Sequence, residues 1–546
     1  MSESTHHDVI VVGAGVSGIY QIKRLIDLGV DAIVLEAEDD LGGTWYRNRY
    51  PGCRFDSESY TYGYSFSKEL LDEWHWKERF SSQPENLRYL NHVADKFDLR
   101  RHMRFGARIA SMAWNEDEHR WHLRLTDDDA RTDGGGASEY TARFVITSLG
   151  PLSAPTTPSY EGMDDFEGEA FHTFFWPKEP VELTGKRVGV IGTGATGIQV
   201  IAEIADKVEE LKVFQRRPNW STPLNNAPID DAEMAEIRNR YDEIFANCAA
   251  SPGGFEHVPL WGFWDMSAEE RRALWDELYT RSGFAILAAN FGEIFFDTEA
   301  NAELSAYIAD RIRGRVDDPE VAEKLIPKDH GFGLQRLPLE TNYFEAYNRP
   351  NVELVDLAAA PIERFTATGI QTTDAHHELD LIVYATGFDA ITGAYDRVDI
   401  RGVDGVALAD RWRDGPSTYL GVLANGFPNL LMVAGPQSVS GSTNFPRAIE
   451  KGVDWVTGLL DHALSAGHTR IEAEADAEAE WVEEVVRAHE RLLLNRSKGW
   501  FTGYNSNVAG RQEGTVRYQA YFGGSPRYAT KVEAIADDGY RGIELR

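Results

Sequence analysis

Cysteine is nearly absent: of 546 residues only Cys53 and Cys248 carry a thiol, far apart and in no metal-ligand spacing. That count excludes a disulfide scaffold, a CxxC redox pair and a cysteine-held zinc site. Long apolar runs are missing too; the longest are strand-sized, short of the roughly 20 residues that a membrane helix needs. Cationic residues are scarce, 55 Lys and Arg against 88 Asp and Glu, for a net charge of −33. So acidic a surface repels nucleic acid and anionic membranes, and neither is expected as a partner. Any anionic cofactor must then find a local pocket of positive charge. The N-terminal MSESTHHD has neither a basic nor an apolar leader region, and a cytoplasmic protein is the expectation.

What is present is a globular composition, 42% hydrophobic and 26% charged, in a chain long enough for about two to four domains. An apolar run over 8–12 reads as a buried parallel strand. It leads into Gly13, Gly15 and Gly18 in GxGxxG spacing, then into an amphipathic stretch over 19–28. The first two glycines permit a tight turn and a close backbone approach to a pyrophosphate; the third lets helix and strand pack closely. A second strand, 32–35, ends in Glu36, where a carboxylate accepts hydrogen bonds from a ribose diol.

The pattern recurs. A strand over 187–191 is followed by a turn with Gly192, Gly194 and Gly197 that contains Ala195 and Thr196, and by the opening of a helix over 198–204 that contains Gln199. After the next strand, 211–214, the carboxylate is missing and Gln215-Arg216-Arg217 stands in its place. A carboxylate repels a 2′-phosphate, whereas Arg216 and Arg217 offer it charge-assisted hydrogen bonds. The first site therefore reads as one for FAD or NAD, the second as one for NADPH. A further apolar strand, 379–384, ends in Ala385-Thr386-Gly387, a turn suited to returning the chain from the second nucleotide domain to the first.

These features predict an α/β protein with two Rossmann-like dinucleotide-binding domains, residues 1–150 with 386–546 for FAD and 151–222 with 333–385 for NADP. Residues 223–332 have helical patterning, with helices over 231–246 and 267–281 opening on Asp or Ser caps, and read as a helical insertion in the NADP domain. A polar hairpin loop over 127–136 and a solvated acidic helix over 471–494 complete the organisation.

Just before the second glycine-rich turn lie Phe166, Gly168, His172, Trp176 and Pro177 in the spacing FxGxxxHxxxWP. This resembles the fingerprint of Baeyer–Villiger monooxygenases, and the resemblance runs through nearly the whole chain, nearest to the phenylacetone monooxygenase branch. It implies an enzyme that uses FAD, NADPH and O₂ to insert one oxygen beside a ketone carbonyl. The product is an ester or lactone, formed through a C4a-peroxyflavin and a Criegee intermediate, with sulfides as a further substrate class. Rival readings are a relative that oxidises amine nitrogen or sulfur, a peroxide-forming NADPH oxidase and a flavin-binding redox sensor. The fingerprint is expected in the interdomain linker, coupling domain movement to catalysis.

The resemblance also implies residue roles. Residues 41–52 and 54–62 resemble the family's flavin-edge segment, which places Thr44, Trp45, Asp56 and Tyr62, with Ile109, at FAD. Arg336 matches the arginine that stabilises the peroxide and the Criegee intermediate, and Asp56 is expected to pair with it. Arg54 would help hold the nicotinamide end of NADP, and Trp500 matches a loop tryptophan that closes over it. Pro151, Gln437, Ser440, Gly441 and Phe445 occupy substrate-pocket positions. One residue departs from the pattern: before the arginine the family usually has a lysine that contacts the 2′-phosphate, and here it is Gln335. Arg217, where the family typically has threonine, is expected to substitute for it. No metal is implied, the substrate is a small ketone, and a monomer or weak homodimer is expected.

Overall fold

The computed structural model describes residues 5–126, 138–439, 443–512 and 516–546. Its first sheet is built around Thr5–Val12, in which Val9, Ile10 and Val11 are fully buried, as a parallel strand covered on both faces requires. This strand pairs in parallel with Ala32–Leu35 on one side and Glu139–Thr147 on the other. Met103–Arg104 continues the parallel run beyond Ala32–Leu35. Leu430–Met432, from far along the chain, pairs with the C-terminal end of Glu139–Thr147. Ile109–Asn115 and Arg120–Leu125 extend the other edge as antiparallel strands. Both ends of the chain therefore build one sheet.

The second sheet is wholly parallel and has five strands, in the order Val352–Asp356, Glu210–Gln215, Arg187–Ile191, Leu381–Tyr384 and Glu169–His172. Its last strand corrects an expectation. The FxGxxxHxxxWP segment is not a free linker; its middle is the edge strand of this sheet, in register with Leu381–Tyr384. Glu169 and Ala170 face solvent while His172 is buried, so the strand lacks the apolar run by which a central strand is recognised.

Between Thr222–Pro223 and Leu339–Glu340, which pair in parallel, the chain is mainly helical. The helices Asp231–Ala250, Ala268–Thr280, Thr298–Arg313 and Pro319–Leu325 open on Asp230, Ser267, Asp297 and Asp318. Each of these side chains accepts first-turn backbone N–H groups that no helical carbonyl can reach. The acidic helix expected over 471–494 is shorter and less solvated. Ile471–Ala473 is a buried strand paired antiparallel with Ile543–Leu545. In the helix Ala475–Glu490 that follows, Glu478, Trp481, Val485 and His489 are buried. The polar loop expected over 127–136 lies outside the described residues.

Two segments carry the chain between the sheets, and they are laced together. Thr156 donates its backbone N–H to the Gly387 carbonyl at 2.9 Å, and Asp389 donates to the Ala154 carbonyl at 2.8 Å. The hydroxyls of Thr156 and Thr386 each donate to the other residue's carbonyl, at 3.0 and 2.5 Å. Among the described residues no helix is long and apolar enough to cross a membrane, and no group of three metal-ligating side chains occurs.

Candidate active site between two nucleotide turns

The two glycine-rich turns have the same geometry. Gly13 has a φ of +101° and Gly192 one of +108°, a region that a side chain would strain. A Cβ on Gly18 would stand 1.8 Å from the Gly13 carbonyl oxygen, and one on Gly197 2.1 Å from that of Gly192. Each helix thus packs directly on its own turn. By contrast, Gly194 faces open space, and a Cβ on Gly15 would meet only Gly43 backbone, its Cα at 3.5 Å. Neither helix receives a side-chain cap at its N-terminus, so first-turn N–H groups and the positive end of the helix dipole stay available to an anion. Both turns fit a pyrophosphate.

Glu36 is buried at the end of Ala32–Leu35, where its carboxylate accepts from the N–H of Ala14 at 2.6 Å and of Glu38 at 2.9 Å. Burial raises its pKa, and these two bonds oppose the rise. It stands at the rim of the first turn, against Ala14. Ala107 donates its N–H to the Glu36 carbonyl at 2.7 Å, which brings the start of Ile109–Asn115 alongside. Thr44, Trp45 and Tyr62 also gather near this turn. Thr44 and Trp45 open the short helix Thr44–Arg47 directly after Gly43, and the Trp45 indole donates to the Tyr62 hydroxyl.

Asp56 and Arg336 are 280 residues apart and meet: Arg336 Nη2 donates to Asp56 Oδ1 at 2.7 Å. Arg336 Nη1 donates to the Leu337 carbonyl, and the guanidinium lies 4.9 Å from the centroid of the Phe284 ring. The Asp56 side chain is 12% exposed and that of Arg336 37%, so the pair is open on its cationic side. An arginine has five N–H donors, and those not given to Asp56 and Leu337 remain for an anionic oxygen.

The segment expected at the flavin edge sits on the second glycine-turn helix through Tyr50, Gly52 and Arg54. Gln199 Nε2 donates to the Arg54 carbonyl at 3.1 Å, and Gln199 Oε1 accepts from the Tyr50 hydroxyl at 2.9 Å. Gly52 is so close to this helix that a Cβ would lie 2.7 Å from the Gln199 carbonyl oxygen. Arg54 is anchored two residues from Asp56 by Glu78 at 2.9 Å and the Phe80 carbonyl at 3.0 Å. The fingerprint residues lie at the laced connection instead. His172 Nδ1 accepts from the Phe174 N–H at 3.1 Å, its ring meets Phe388 edge-on at 6.0 Å, and Trp176 packs on Phe171. Burial pushes the His172 pKa down to about 4, so the ring is neutral at neutral pH.

Arg216 and Arg217 line a cleft of about 460 Å³ with Asp329, Arg496, Lys498, Tyr504 and Ser506. Sequence reasoning found the first two and missed the rest, because isolated side chains from Asp329 to Ser506, far downstream of the strand, carry no local signal. Gln335 reaches the same region: its Nε2 donates to the Lys498 carbonyl at 3.1 Å. Trp500, in the turn Trp500–Thr502, packs against Ala390, Ile391 and Ala520. Also missed is a buried pair, Glu58 and His257, whose Oε1 and Nε2 lie 3.3 Å apart two residues from Asp56.

Of the expected substrate-pocket residues, Pro151, Gln437 and Phe445 are among those described. Gln437 Nε2 donates to the Pro416 carbonyl at 2.8 Å, and its Oε1 accepts from the Thr418 N–H and hydroxyl, both at 3.0 Å. It is a tether between backbone segments. The Pro151 carbonyl accepts from the Ile391 N–H at 2.8 Å, within the laced connection, and Phe445 opens the helix Phe445–Ser465. Ser440 and Gly441 lie outside the described residues.

The model of the flavin-binding monooxygenase-like family matches residues 6–227. Over 548 residues the chain is 44% identical to 2-oxo-Delta(3)-4,5,5-trimethylcyclopentenylacetyl-CoA monooxygenase of Pseudomonas putida, covering 98% of each. It is 38% identical over 546 residues to a Baeyer–Villiger monooxygenase of Pseudooceanicola batsensis, covering 98% of this chain and 96% of that one. The crystal structure of the OTEMO complex with FAD and NADP matches at a TM-score of 0.93 and 43% identity over the whole of both chains.

Proposed function

The chain belongs to the Baeyer–Villiger monooxygenases, which use FAD, NADPH and O₂ to convert a ketone into an ester or lactone, and we propose that Asp56 and Arg336 are its reaction centre. When bound, FAD would supply the redox chemistry that activates O₂ at the expense of NADPH. What carries the proposal is the 2.7 Å contact that fixes Arg336 on Asp56 beside the flavin-edge segment. Asp56 holds the guanidinium in one orientation. The free N–H groups of Arg336 then face oxygen that bears negative charge during the insertion. A cation placed before the reaction stabilises that charge without having to reorganise.

Around this pair, the Gly13–Gly18 turn and Glu36 hold the FAD pyrophosphate and ribose, and Thr44, Trp45, Tyr62 and Ile109 surround the rest of the flavin cofactor. The Gly192–Gly197 turn, with Ala195, Thr196 and Gln199, takes the NADP pyrophosphate, and Arg216 and Arg217 take its 2′-phosphate. Arg54 and Trp500 flank the nicotinamide end. Residues 1–150 with 386–546 form the FAD unit, 151–222 with 333–385 the NADP unit, and 223–332 the insertion that brings Phe284 to Arg336.

Arg336→Ala tests the centre. The variant should keep FAD and oxidise NADPH, while ester formation falls by about 10²- to 10³-fold and hydrogen peroxide appears in its place. Ester yield per NADPH within a few-fold of the parent enzyme would rule Arg336 out.

A further inference from the structure

In a chain of net charge −33, four cationic side chains around one cleft against a single carboxylate mark a site for an anion. Arg216 and Arg217 follow the strand Glu210–Gln215, whereas Arg496 and Lys498 come from the segment that follows the helix Ala475–Glu490. The four charges are differently engaged. Arg217 is ion-paired with Asp329 at 3.3 Å, a carboxylate that also holds His330 at 2.7 Å. Arg216 donates to the Ser506 hydroxyl at 2.5 Å. Lys498 makes no ion pair among the described residues; its ammonium lies 5.6 Å from the centroid of the Tyr504 ring. Arg496 likewise makes no ion pair among the described residues, and its Nη1 donates to the Thr298 hydroxyl at 3.5 Å.

The residue at 335 accounts for this placement. Gln335 donates to the Lys498 carbonyl at 3.1 Å and packs on Gly499, where a Cβ would lie 3.4 Å from Gln335 Cγ. One residue earlier in each segment, the Ser497 hydroxyl donates to the Leu334 carbonyl at 2.8 Å. The amide thus pins the C-terminal segment beside Arg336 and leaves the charge to Lys498, where a lysine at 335 would bring a second ammonium close to the first. We infer that Lys498, assisted by Arg496, rather than Arg217 alone, whose guanidinium is shared with Asp329, makes the contact with the 2′-phosphate of NADPH that Gln335 cannot make. Discrimination between NADPH and NADH is then exerted by the C-terminal segment, two residues before Trp500. NADH, lacking the phosphate, leaves that segment without its anionic partner. The inference rests on the reading of the Arg216–Arg217 cleft as the 2′-phosphate site.

Equilibrium binding to the FAD-loaded enzyme, measured by titration calorimetry with NADP⁺, NAD⁺, 2′,5′-ADP and 5′-ADP, tests it. Lys498→Ala combined with Arg496→Ala should weaken NADP⁺ and 2′,5′-ADP by about 10- to 100-fold, the loss of one or two charge-assisted bonds. NAD⁺ and 5′-ADP should change by less than about twofold. Adding Gln335→Lys to Lys498→Ala moves the charge back and should recover most of the NADP⁺ affinity. Equal weakening of phosphorylated and unphosphorylated ligands, or none, overturns the inference, since the segment would then be only a structural cover. Arg216→Ala separates the two levels. If it too fails to discriminate NADP⁺ from NAD⁺, the cleft is not the 2′-phosphate site and both readings fall; if it does discriminate, a failure at Lys498 sinks the inference alone.

Discussion

At the scale of single residues, the proposed chemistry depends on how Arg336 is held. Asp56 accepts from one of its nitrogens and the Leu337 carbonyl from another, so the fork is fixed while its remaining edge stays open. Asp56→Asn keeps the shape and removes the charge. Ester formation should fall about tenfold to a hundredfold, the range for a lost charge-assisted bond, with FAD content unchanged; unaltered turnover would mean that Asp56 does not position Arg336. At this scale the sequence was most legible where chemistry is packed into a few consecutive residues. Arg216 and Arg217 stand where Glu36 stands in the first fold, and that exchange alone separated the two cofactor sites. Lys498 was invisible because its partners are brought to it only by the fold.

At the scale of elements, the glycine turns were readable because their requirements are steric. Gly197→Ala would set a Cβ 2.1 Å from the Gly192 carbonyl oxygen, closer than atoms can approach, so the helix must lift from its turn. NADP⁺ affinity should drop at least about tenfold while bound-flavin absorbance persists; Gly18→Ala, with its 1.8 Å contact, should show the reverse pattern and lose FAD. Either variant binding both cofactors normally would contradict the turn geometry.

The fingerprint strand was misread as a linker because an edge strand exposed on one side carries little apolar signal. Its His172 makes a pH prediction. Burial holds the folded pKa near 4 against an ordinary 6.5, so the unfolded chain binds the proton more readily. The stability loss is absent above about pH 6.5 and grows as pH falls toward 4, reaching about 3 kcal/mol for a shift of this size. Burial lowers the pKa of His377 and His489 as well, with the same sign. His172→Gln should therefore flatten the fall in Tm between pH 6.5 and 4, and an unchanged slope would remove His172 from the cause.

At the scale of the whole molecule, the alternation of nucleotide motifs announced two sheets, and the sheets are there. What could not be read was how they face each other. That arrangement depends on bonds between residues distant in sequence, such as Gln199 to Arg54 and Tyr50, and on the laced threonines Thr156 and Thr386. Thr386→Val removes one hydroxyl bond of the lace; domain motion should become looser, raising the peroxide released per NADPH without altering FAD binding. Unchanged coupling would make the lace a passive connection.

The central claim is that this chain inserts one atom of O₂ next to a ketone carbonyl at a site governed by Arg336. Mass spectrometry of the product formed from an unlabelled ketone under ¹⁸O₂, scored against NADPH consumed, tests it most directly. One labelled oxygen per ester or lactone is predicted for the parent enzyme, with the labelled ester replaced by peroxide in Arg336→Ala. An unlabelled product, or NADPH oxidised to peroxide alone across linear, cyclic and aryl ketones, would contradict it.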